Sequence, residues 1–275
     1  MVRREDLMNQ LFLFAACLFV VLLISEILCG RHKGIYSSAD WKVNVTSYLV
    51  GIGLMRPLMA IVTATAITFL LPTSQGALAH LSLIPSFIGI SLIAEFAFYW
   101  THRLSHEGAG KYPRLTGLWK LHRTHHSGKY MNVGTNFRQN LGWLVVQPEV
   151  WVFGLAIHFG LGAAAGLAAG VRLVWNLITH CNFRWDDPIR RHRYAGPLLR
   201  GLEHIFVTPG LHHTHHGWGR DGASYRNYGT VFSLFDTLFG TLHIPDGRPA
   251  RYGLPGAQDH WLEEVFYPLI RKNRK

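Results

Sequence analysis

The sequence predicts an all-α integral membrane protein with about four to five transmembrane helices and a histidine-rich cap on the cytoplasmic side. Composition is the first observation: 49% of the 275 residues are hydrophobic and only 16% are charged. Charged residues make up about a quarter of a soluble domain, so this chain has too few for a soluble surface. Long apolar runs are the second observation, and clustered histidines are the third.

The N-terminal part contains two predicted membrane helices. Leu11–Cys29 is almost wholly apolar and follows a short charged start. A signal peptide is the alternative, but no small-residue cleavage site follows, so a retained helix is favoured. The apolar run Tyr48–Leu71 is interrupted by Arg56-Pro57. We therefore predict an interfacial or partly buried stretch before the proline and a span over Leu58–Leu71.

Two further apolar regions precede the polar C-terminal part. Leu81–Trp100 is predicted to be one span. The region Leu141–Ile178 is too long for one helix and is broken by the small residues of Gly160–Gly166, so it predicts two helices in a tight hairpin. Arg184–Lys275 contains no run long enough to span, and it is predicted to be a cap against the membrane.

The distribution of charge predicts an orientation. Thr73–Ala94 and Val150–Val171 contain no Asp, Glu, Lys or Arg, whereas Arg31–Lys42, Arg103–Arg138 and Arg184–Arg226 are rich in Lys and Arg. By the positive-inside rule the basic segments face the cytoplasm. The net charge of +11 also suits a nucleic-acid-binding protein. No nucleic-acid partner is expected, because basic segments alternate with spans. The side of the N-terminus stays open.

Three short blocks hold more than half of the 17 histidines: His102–His106, His122–His126 and His212–His216. Neutral imidazole is the commonest side-chain metal ligand, and each block has the spacing of ligands on one helix. His180 lies at the predicted end of the last membrane helix. Nine imidazoles exceed the four ligands of a structural zinc, so they predict a dinuclear, all-nitrogen site at the membrane surface.

A polar stripe leads to the first block. Positions 95, 99, 102 and 106 share one helical face, which carries Glu95, Tyr99 and two histidines. A glutamate inside a membrane span is costly and usually functional. We expect Glu95 to accept a hydrogen bond from a metal-binding imidazole. The alternative is a buried glutamate that pairs with an arginine for structural reasons.

The other histidines are expected to be ordinary polar or surface residues. His213 is surplus to the HxxHH frame that His212, His215 and His216 complete. The scattered set comprises His32, His80, His158, His192, His204, His243 and His260.

The order of these motifs resembles the sterol desaturase and fatty acid hydroxylase superfamily. The supporting segments are YWTHRLSH at Tyr99–His106, LHRTHHS at Leu121–Ser127, TPGLHHTHHG at Thr208–Gly217 and NYGTVFSLFDTLFGT at Asn227–Thr241. The resemblance covers about Glu95 to Gly253. The segment Leu202–His216 also resembles the alkylglycerol monooxygenase branch.

The resemblance implies a membrane non-haem di-iron oxygenase that uses O2 and two electrons to hydroxylate or desaturate a lipid C–H position. It implies a catalytic domain over 81–253, after N-terminal membrane helices over 1–80 and before a cytoplasmic tail over 254–275. It also implies Asn176 as a further ligand or a water-holding residue. The implied iron ligands are His102, His106, His122, His125, His126, His180, His212, His215 and His216.

Several alternatives remain at this stage. Hydroxylation is favoured over desaturation, and the substrate is open among sterols, fatty acyl chains, sphingoid bases, ether lipids and ornithine-type lipids. Electrons are expected from a separate ferredoxin- or cytochrome b5-type donor. The membrane is a bacterial inner membrane or the endoplasmic reticulum. A non-catalytic zinc transporter or sensor is less favoured, because its ligands would lie near the bilayer midplane. A metal hydrolase is also less favoured, because no HExxH occurs.

Overall fold

The computed structural model describes residues 4–31, 37–256 and 259–271, with only the backbone described for 4–7. It is 66% helical with almost no strand, which confirms the all-α prediction. Within these ranges the α-helices are α1 (Arg4–Leu28), α2 (Ser38–Thr46), α3 (Arg56–Leu70), α4 (Leu83–Glu107), α5 (Thr116–His126), α6 (Leu141–Val146), α7 (Pro148–His158), α8 (Gly162–His180), α9 (Asp186–Arg191), α10 (Ala195–Leu202), α11 (Pro209–His216), α12 (Leu234–Leu238) and α13 (Trp261–Phe266).

In the described part of the chain, four helical segments are long and apolar enough to cross a membrane: Met8–Leu28, Ser38–Leu70, Leu83–Glu107 and Gly162–His180. Their number confirms the prediction of about four to five spans. The third begins two residues later and ends seven residues later than predicted, at Glu107 instead of Trp100. The first histidine block therefore belongs to the last turns of a membrane helix, which holds it rigidly.

The second span corrects the sequence-based prediction. Instead of beginning at Leu58, the helix runs without a break from Ser38 to Leu70, because a π-helix over Ser47–Met55 joins α2 to α3. Pro57 has no N–H group and its ring crowds the carbonyl one turn earlier. The wider π turn relieves this conflict: the Arg56 N–H bonds to the Gly51 carbonyl, five residues back.

The predicted hairpin is present, and its first arm is divided. Helices α6 and α7 meet at Gln147-Pro148, where the proline begins α7. Gly160, with φ +87°, forms the turn into α8, since this left-handed conformation favours glycine. At that end of the molecule His158 is buried between the Thr68 and Ser74 hydroxyls, at 3.1 Å and 3.0 Å. It has the ordinary structural role expected for it.

The contacts of helix α1 show at which end of the helical bundle this helix begins. Glu26, near the end of α1, is fully buried and accepts hydrogen bonds from the backbone N–H groups of Val133 and Asn182. Asn182 follows the end of α8, so α1 runs parallel to α8. At the other end Met8 packs on Gly166, where any side chain would collide with it. The start of α1 therefore lies at the end of the bundle opposite to His180.

The cap segments form hydrogen bonds with side chains of the membrane helices α4 and α8. The loop Thr230–Phe232 donates backbone hydrogen bonds to Glu95, two turns before His102 on α4. On α8, the Trp175 indole donates to the Val207 carbonyl at 2.9 Å. The antiparallel pair β1 (Gly217–Trp218) and β2 (Arg251–Tyr252) then closes the cap beside the last histidine block.

The described part of the predicted C-terminal tail packs on the histidine-bearing core. In α13 the Glu264 carboxylate accepts from Arg138 at 2.7 Å, and its carbonyl accepts from the Thr124 hydroxyl at 2.7 Å. Glu264 is buried against α5 as a result. The sequence does not indicate this packing, because the buried arginine that neutralises this carboxylate lies 126 residues away.

Candidate metal centre

Four helices bring the nine predicted histidines together, and all nine are buried. Helix α4 carries His102 and His106 four residues apart, so both rings leave one face. Helix α8 adds His180 as its last residue. Helices α5 and α11 each carry an HxxHH block in their last turns.

The nine rings form two groups. Within each group, one possible ligand atom per residue lies within 4.8 Å of all the others. Group one consists of His102, His106, His122, His126 and His215. Group two consists of His125, His180, His212 and His216.

The two HxxHH helices contribute to these groups in opposite ways. Helix α5 gives its i,i+4 pair, His122 and His126, to group one and the intervening His125 to group two. Helix α11 gives His212 and His216 to group two and His215 to group one. Each helix therefore links the two groups, because consecutive residues such as His125 and His126 point about 100° apart around the helix axis.

Hydrogen bonds to the cap fix the tautomers in group one. His102 donates from Nδ1 to the Tyr228 carbonyl at 2.7 Å, and His215 donates from Nδ1 to the Arg226 carbonyl at 2.7 Å. A carbonyl only accepts, so in each neutral ring the proton sits on Nδ1 and Nε2 carries a lone pair. These two Nε2 atoms face each other at 3.0 Å. Two lone pairs so close repel unless they share a cation.

Group two has the same arrangement. His180 donates from Nδ1 to the Asn176 carbonyl at 2.8 Å, and the Nδ1 of His125 lies 3.2 Å from the Arg138 carbonyl. The Gln139 amide nitrogen lies 3.3 Å from the same Nδ1, and the Gln139 amide oxygen has no hydrogen-bond partner among the described residues. The two amide atoms are assigned from their hydrogen bonds, and exchanging them lets the oxygen accept the Nδ1 proton as well. The Nε2 atoms of His180 and His125 are 3.3 Å apart. Metal–imidazole bonds are about 2.0–2.1 Å, so such spacings suit neighbouring ligands of one ion.

Burial keeps the rings of the extramembrane helices neutral. It lowers the pKa of His122, His126, His212 and His216 well below the usual value. It lowers the pKa of His125 to about 4 and of His215 to about 3. Neutral imidazoles offer lone pairs. Four buried ring nitrogens, on His106, His122, His212 and His216, have no hydrogen-bond partner among the residues that the structure describes. The donor set therefore fits two metal ions better than a hydrogen-bonded core.

His213 points away from both groups, as expected for a surplus residue. Its Nε2 donates to the Cys181 carbonyl at 3.1 Å, and its Nδ1 accepts from the Tyr252 hydroxyl at 3.2 Å. Both nitrogens are satisfied, and burial lowers its pKa to about 3. Among the scattered histidines other than the buried His158, the exposed ones are His80, His192, His204, His243 and His260, while His32 lies outside the described residues.

Glu95 is a correction to the prediction. Its carboxylate accepts from the Arg172 guanidinium and from the backbone N–H groups of Thr230 and Val231, instead of from an imidazole. The structural alternative is therefore the right one. The error arises because helical spacing shows which residues share a face of α4, whereas the partners come from α8 and the cap.

Asn176 holds His180 through its backbone carbonyl, while its buried side-chain oxygen has no hydrogen-bond partner within the described ranges. Its assignment as a ligand or water-holding residue stays a prediction. Sequence reasoning missed the other anchors, the carbonyls of Tyr228, Arg226 and Arg138. Any residue type has a carbonyl, so no side-chain pattern indicates them. Arg172 had a signal, since it is a lone cation in an apolar helix.

A cavity of about 510 Å³ reaches the histidines from the cap. It touches His106 and His126 of group one and His216 of group two, so it gives access to both groups. The remaining wall consists of Ala109, Trp119, Arg123, Trp218, Ser224, Tyr225 and Gly253–Gly256.

The fold and the site together define a multi-pass membrane protein with two adjacent all-imidazole groups at the ends of its helices. The chain belongs to the fatty acid hydroxylase family, whose profile matches residues 87–241. This confirms the resemblance inferred from the motifs. No solved structure gives a significant match.

Curated relatives include lipid-modifying enzymes. The chain is 31% identical to the ornithine lipid hydroxylase OlsE of Rhizobium tropici over 198 residues, which cover 67% of this chain and 50% of that protein. It is 28% identical to the alkylglycerol monooxygenase of Danio rerio over 67% of this chain and 36% of the relative. The human alkylglycerol monooxygenase is 29% identical over 62% and 32%. The matched part thus spans a third to a half of these relatives.

Proposed function

We propose that this protein is an O2-dependent lipid hydroxylase whose two histidine groups each hold one iron ion. One observation carries this proposal: the Nε2 atoms of His102 and His215 face each other at 3.0 Å. Both rings donate their Nδ1 protons to backbone carbonyls, so both Nε2 atoms carry lone pairs. Family membership and the names of the relatives support lipid hydroxylation. Iron is favoured because imidazole binds it well and because oxidation of a lipid C–H bond needs a redox metal.

The bound irons would supply O2 activation and cleavage of the unactivated C–H bond. One oxygen atom enters the C–H bond and the other leaves as water, which consumes two electrons and two protons. The histidines hold the ions, and the carbonyls of Tyr228, Arg226 and Asn176 hold the rings in their orientation. The cap shields the site from bulk water, since all nine rings are buried.

The proposed setting is the cytoplasmic face of a bacterial inner membrane or of the endoplasmic reticulum. The basic segments Arg103–Arg138 and Arg184–Arg226 lie at the end of the bundle that carries the histidines. A separate ferredoxin- or cytochrome b5-type protein would supply the electrons. The lipid substrate comes from the same leaflet.

The decisive experiment combines metal analysis with lipid mass spectrometry. Protein purified after expression with ample iron should contain about two iron ions per chain, as two imidazole groups require. Lipids of cells that express it should contain a species with one added oxygen atom, and 18O2 should label that atom. A species that has lost two hydrogens would instead indicate desaturation. Protein that holds only zinc and produces no O2-dependent lipid product would contradict the proposal and support a non-catalytic zinc protein.

A further inference from the structure

The cap exposes an apolar surface that lies outside both histidine groups. Its side chains belong to α10, to the turn after it and to the end of α12, and each is between 38% and 67% exposed. We call this surface the apolar cap face. An exposed group of large apolar side chains marks an interaction surface, either for a protein or for a membrane. The face comprises Leu198, Leu202, Ile205, Phe206, Leu238 and Phe239.

The two parts of the apolar cap face adjoin each other. The Ser233 hydroxyl, just before α12, donates to the Glu203 carbonyl at 2.7 Å, and the Thr237 hydroxyl in α12 donates to the His204 carbonyl at 2.8 Å. Both carbonyls belong to the turn that follows α10. Helix α12 is therefore held against that turn, and the exposed side chains of the two segments form one surface.

Contacts with α4 give the depth of one part of this face. The Phe239 ring lies 6.3 Å from the Phe96 ring and 5.0 Å from the Trp100 ring, as measured between centroids. Helix α4 begins at Leu83. A helix rises about 1.5 Å per residue and the hydrocarbon core is about 30 Å thick, so an upright α4 leaves the core near His102. Phe96 lies about 9 Å short of that level, and a tilt of α4 would increase this depth.

Contacts with α8 place the other part at a similar depth. Helix α8 runs from Gly162 to His180, a length that the hydrocarbon core accommodates entirely. Trp175 lies about 7 Å before the end of this helix. Its ring lies 6.0 Å from the Phe206 ring, and its indole donates to the Val207 carbonyl at 2.9 Å. Two separate membrane helices thus place the apolar cap face at the level of the acyl chains.

This depth favours lipid over a water-soluble protein as the partner. The polar surface of a soluble protein does not enter the hydrocarbon core. The residues beside the face agree with a membrane boundary: Tyr194 is 71% exposed, and the Arg193 guanidinium lies 4.9 Å from its ring. Tyrosine and arginine are typical anchors at the level of the headgroups. In α10, Leu198 and Leu202 share one exposed face, as in helices that lie in a membrane interface.

We propose that the apolar cap face is embedded in the lipid leaflet on the histidine-bearing side of the membrane. Its side chains lie among the upper parts of the acyl chains, and Arg193 and Tyr194 lie at the headgroups. The cap is thereby a second membrane-binding unit beside the spanning helices. This inference goes beyond the proposed hydroxylase function and is independent of the metal content.

The embedded surface has a consequence for group one. Asp236 in α12 accepts hydrogen bonds from the backbone N–H groups of Tyr228 and Gly229 at 2.8 Å and 2.7 Å. The Tyr228 carbonyl in turn accepts the Nδ1 proton of His102. The leaflet that holds α12 therefore supports the segment that orients one ring of group one.

Fluorescence quenching of the full-length protein in phosphatidylcholine nanodiscs tests the proposal. A bimane dye is attached to a single cysteine introduced by Leu198→Cys or Leu238→Cys. The background carries Cys17→Ser and Cys29→Ser, which remove the two exposed cysteines, while Cys181 is buried and stays unlabelled. Two quenchers are compared in each sample: a lipid with a nitroxide on its acyl chain, and iodide in the water.

Two matched labels provide the reference values. Ile93→Cys labels a side chain of the membrane helix α4 that is 60% exposed, and Arg220→Cys labels a side chain of the cap that is 90% exposed. The dyes at positions 198 and 238 should be quenched by the nitroxide lipid as strongly as the dye at position 93. Iodide should quench them about tenfold less than the dye at position 220, because the hydrocarbon region excludes ions.

Two outcomes would overturn the proposal. Strong quenching by iodide with weak quenching by the nitroxide lipid would place the face in water. Weak quenching by both would mean that protein covers it, such as a second copy of this chain. Leu202→Cys and Phe239→Cys on the same face replace either label if that variant does not fold, as judged by its circular dichroism and its elution volume.

Discussion

Group one and group two share a chemistry and differ in how the chain builds them. Group one has five histidines and is anchored by carbonyls of the cap, at Tyr228 and Arg226. Group two has four and is anchored by the carbonyl of Asn176, within α8, and by that of Arg138, in the segment that follows α5. The difference teaches that the orientation of rings in group one depends on carbonyls of the cap, whereas in group two it depends on carbonyls of α8 and of the segment after α5.

Removal of one ligand from each group should have the largest effect. We expect His106→Ala and His180→Ala to lower turnover by more than about 10²-fold, because even residues that only orient a ligand matter by 10–100-fold. Each variant should lose about one of the two proposed irons, as measured by elemental analysis. The control is His204→Ala, at an exposed histidine. Loss of iron and activity in the control as well would indicate general unfolding.

Acid should destabilise the metal-free protein, and the pH range of this effect should differ between His125 of group two and His215 of group one. Burial lowers the pKa of His125 from 6.5 to about 4 and that of His215 from 6.5 to about 3. Below pH 6.5 the unfolded chain binds protons that the folded chain does not bind, so stability falls as the pH falls. The contribution of His125 is lost as the pH falls to about 4, and that of His215 as it falls to about 3. Each such histidine contributes a slope of about 1.4 kcal/mol per pH unit.

Thermal unfolding of metal-free protein in nanodiscs, followed from about pH 7.5 to about pH 5, measures this effect. Asp236 and Glu264 act in the opposite direction, since burial raises the pKa of Asp236 to about 6 and also raises the pKa of Glu264. These two carboxyls are outnumbered by the imidazoles. A melting temperature that stays constant or rises on acidification would show that the rings are not held neutral.

Weakening the anchor of group two should release one metal selectively. Arg138 offers its carbonyl to His125, and its guanidinium pairs with Glu264 at 2.7 Å and Asp40 at 3.1 Å. Glu264→Gln removes one of these pairs, so a chelator should extract one iron about tenfold faster and leave the other unaffected. The control is Asp246→Asn, which removes an exposed ion pair with Arg200. Equal acceleration for both irons would mean that the groups are not independently anchored.

The smallest effect is expected beside group two, at His213. His213→Gln should leave iron content and turnover within about twofold and cost about 1 kcal/mol of stability, because it loses hydrogen bonds to Cys181 and Tyr252. The adjacent His212→Gln is the matched comparison and should lose iron. If His213→Gln loses iron as readily, the division between ligands and structural histidines in α11 is wrong.

Prediction from the sequence succeeded where a property belongs to one helix. The block spacings indicated eight of the nine histidines that the structure gathers and separated His213, and the position of His180 at the end of the last predicted membrane helix indicated the ninth. It failed where partners come from distant segments. Glu95 looked functional on its own helix, but its partners Arg172 and Thr230 lie 77 and 135 residues away. The second span was cut short because a π turn that accommodates Pro57 leaves no clear residue signature.

The sequence alone determined the membrane helices apart from the start of the second, the helical blocks of imidazoles and the family, because hydropathy and i,i+4 spacing are local and repeat with the period of the helix. Only the tertiary structure decided which histidines share a group. His125 belongs to group two although the rest of its block belongs to group one, and His215 belongs to group one although His212 and His216 belong to group two. It also placed the cavity on the cap side of the rings. The physical reason is that ring orientation depends on backbone carbonyls and packed aromatic residues that segments far apart in the chain bring together.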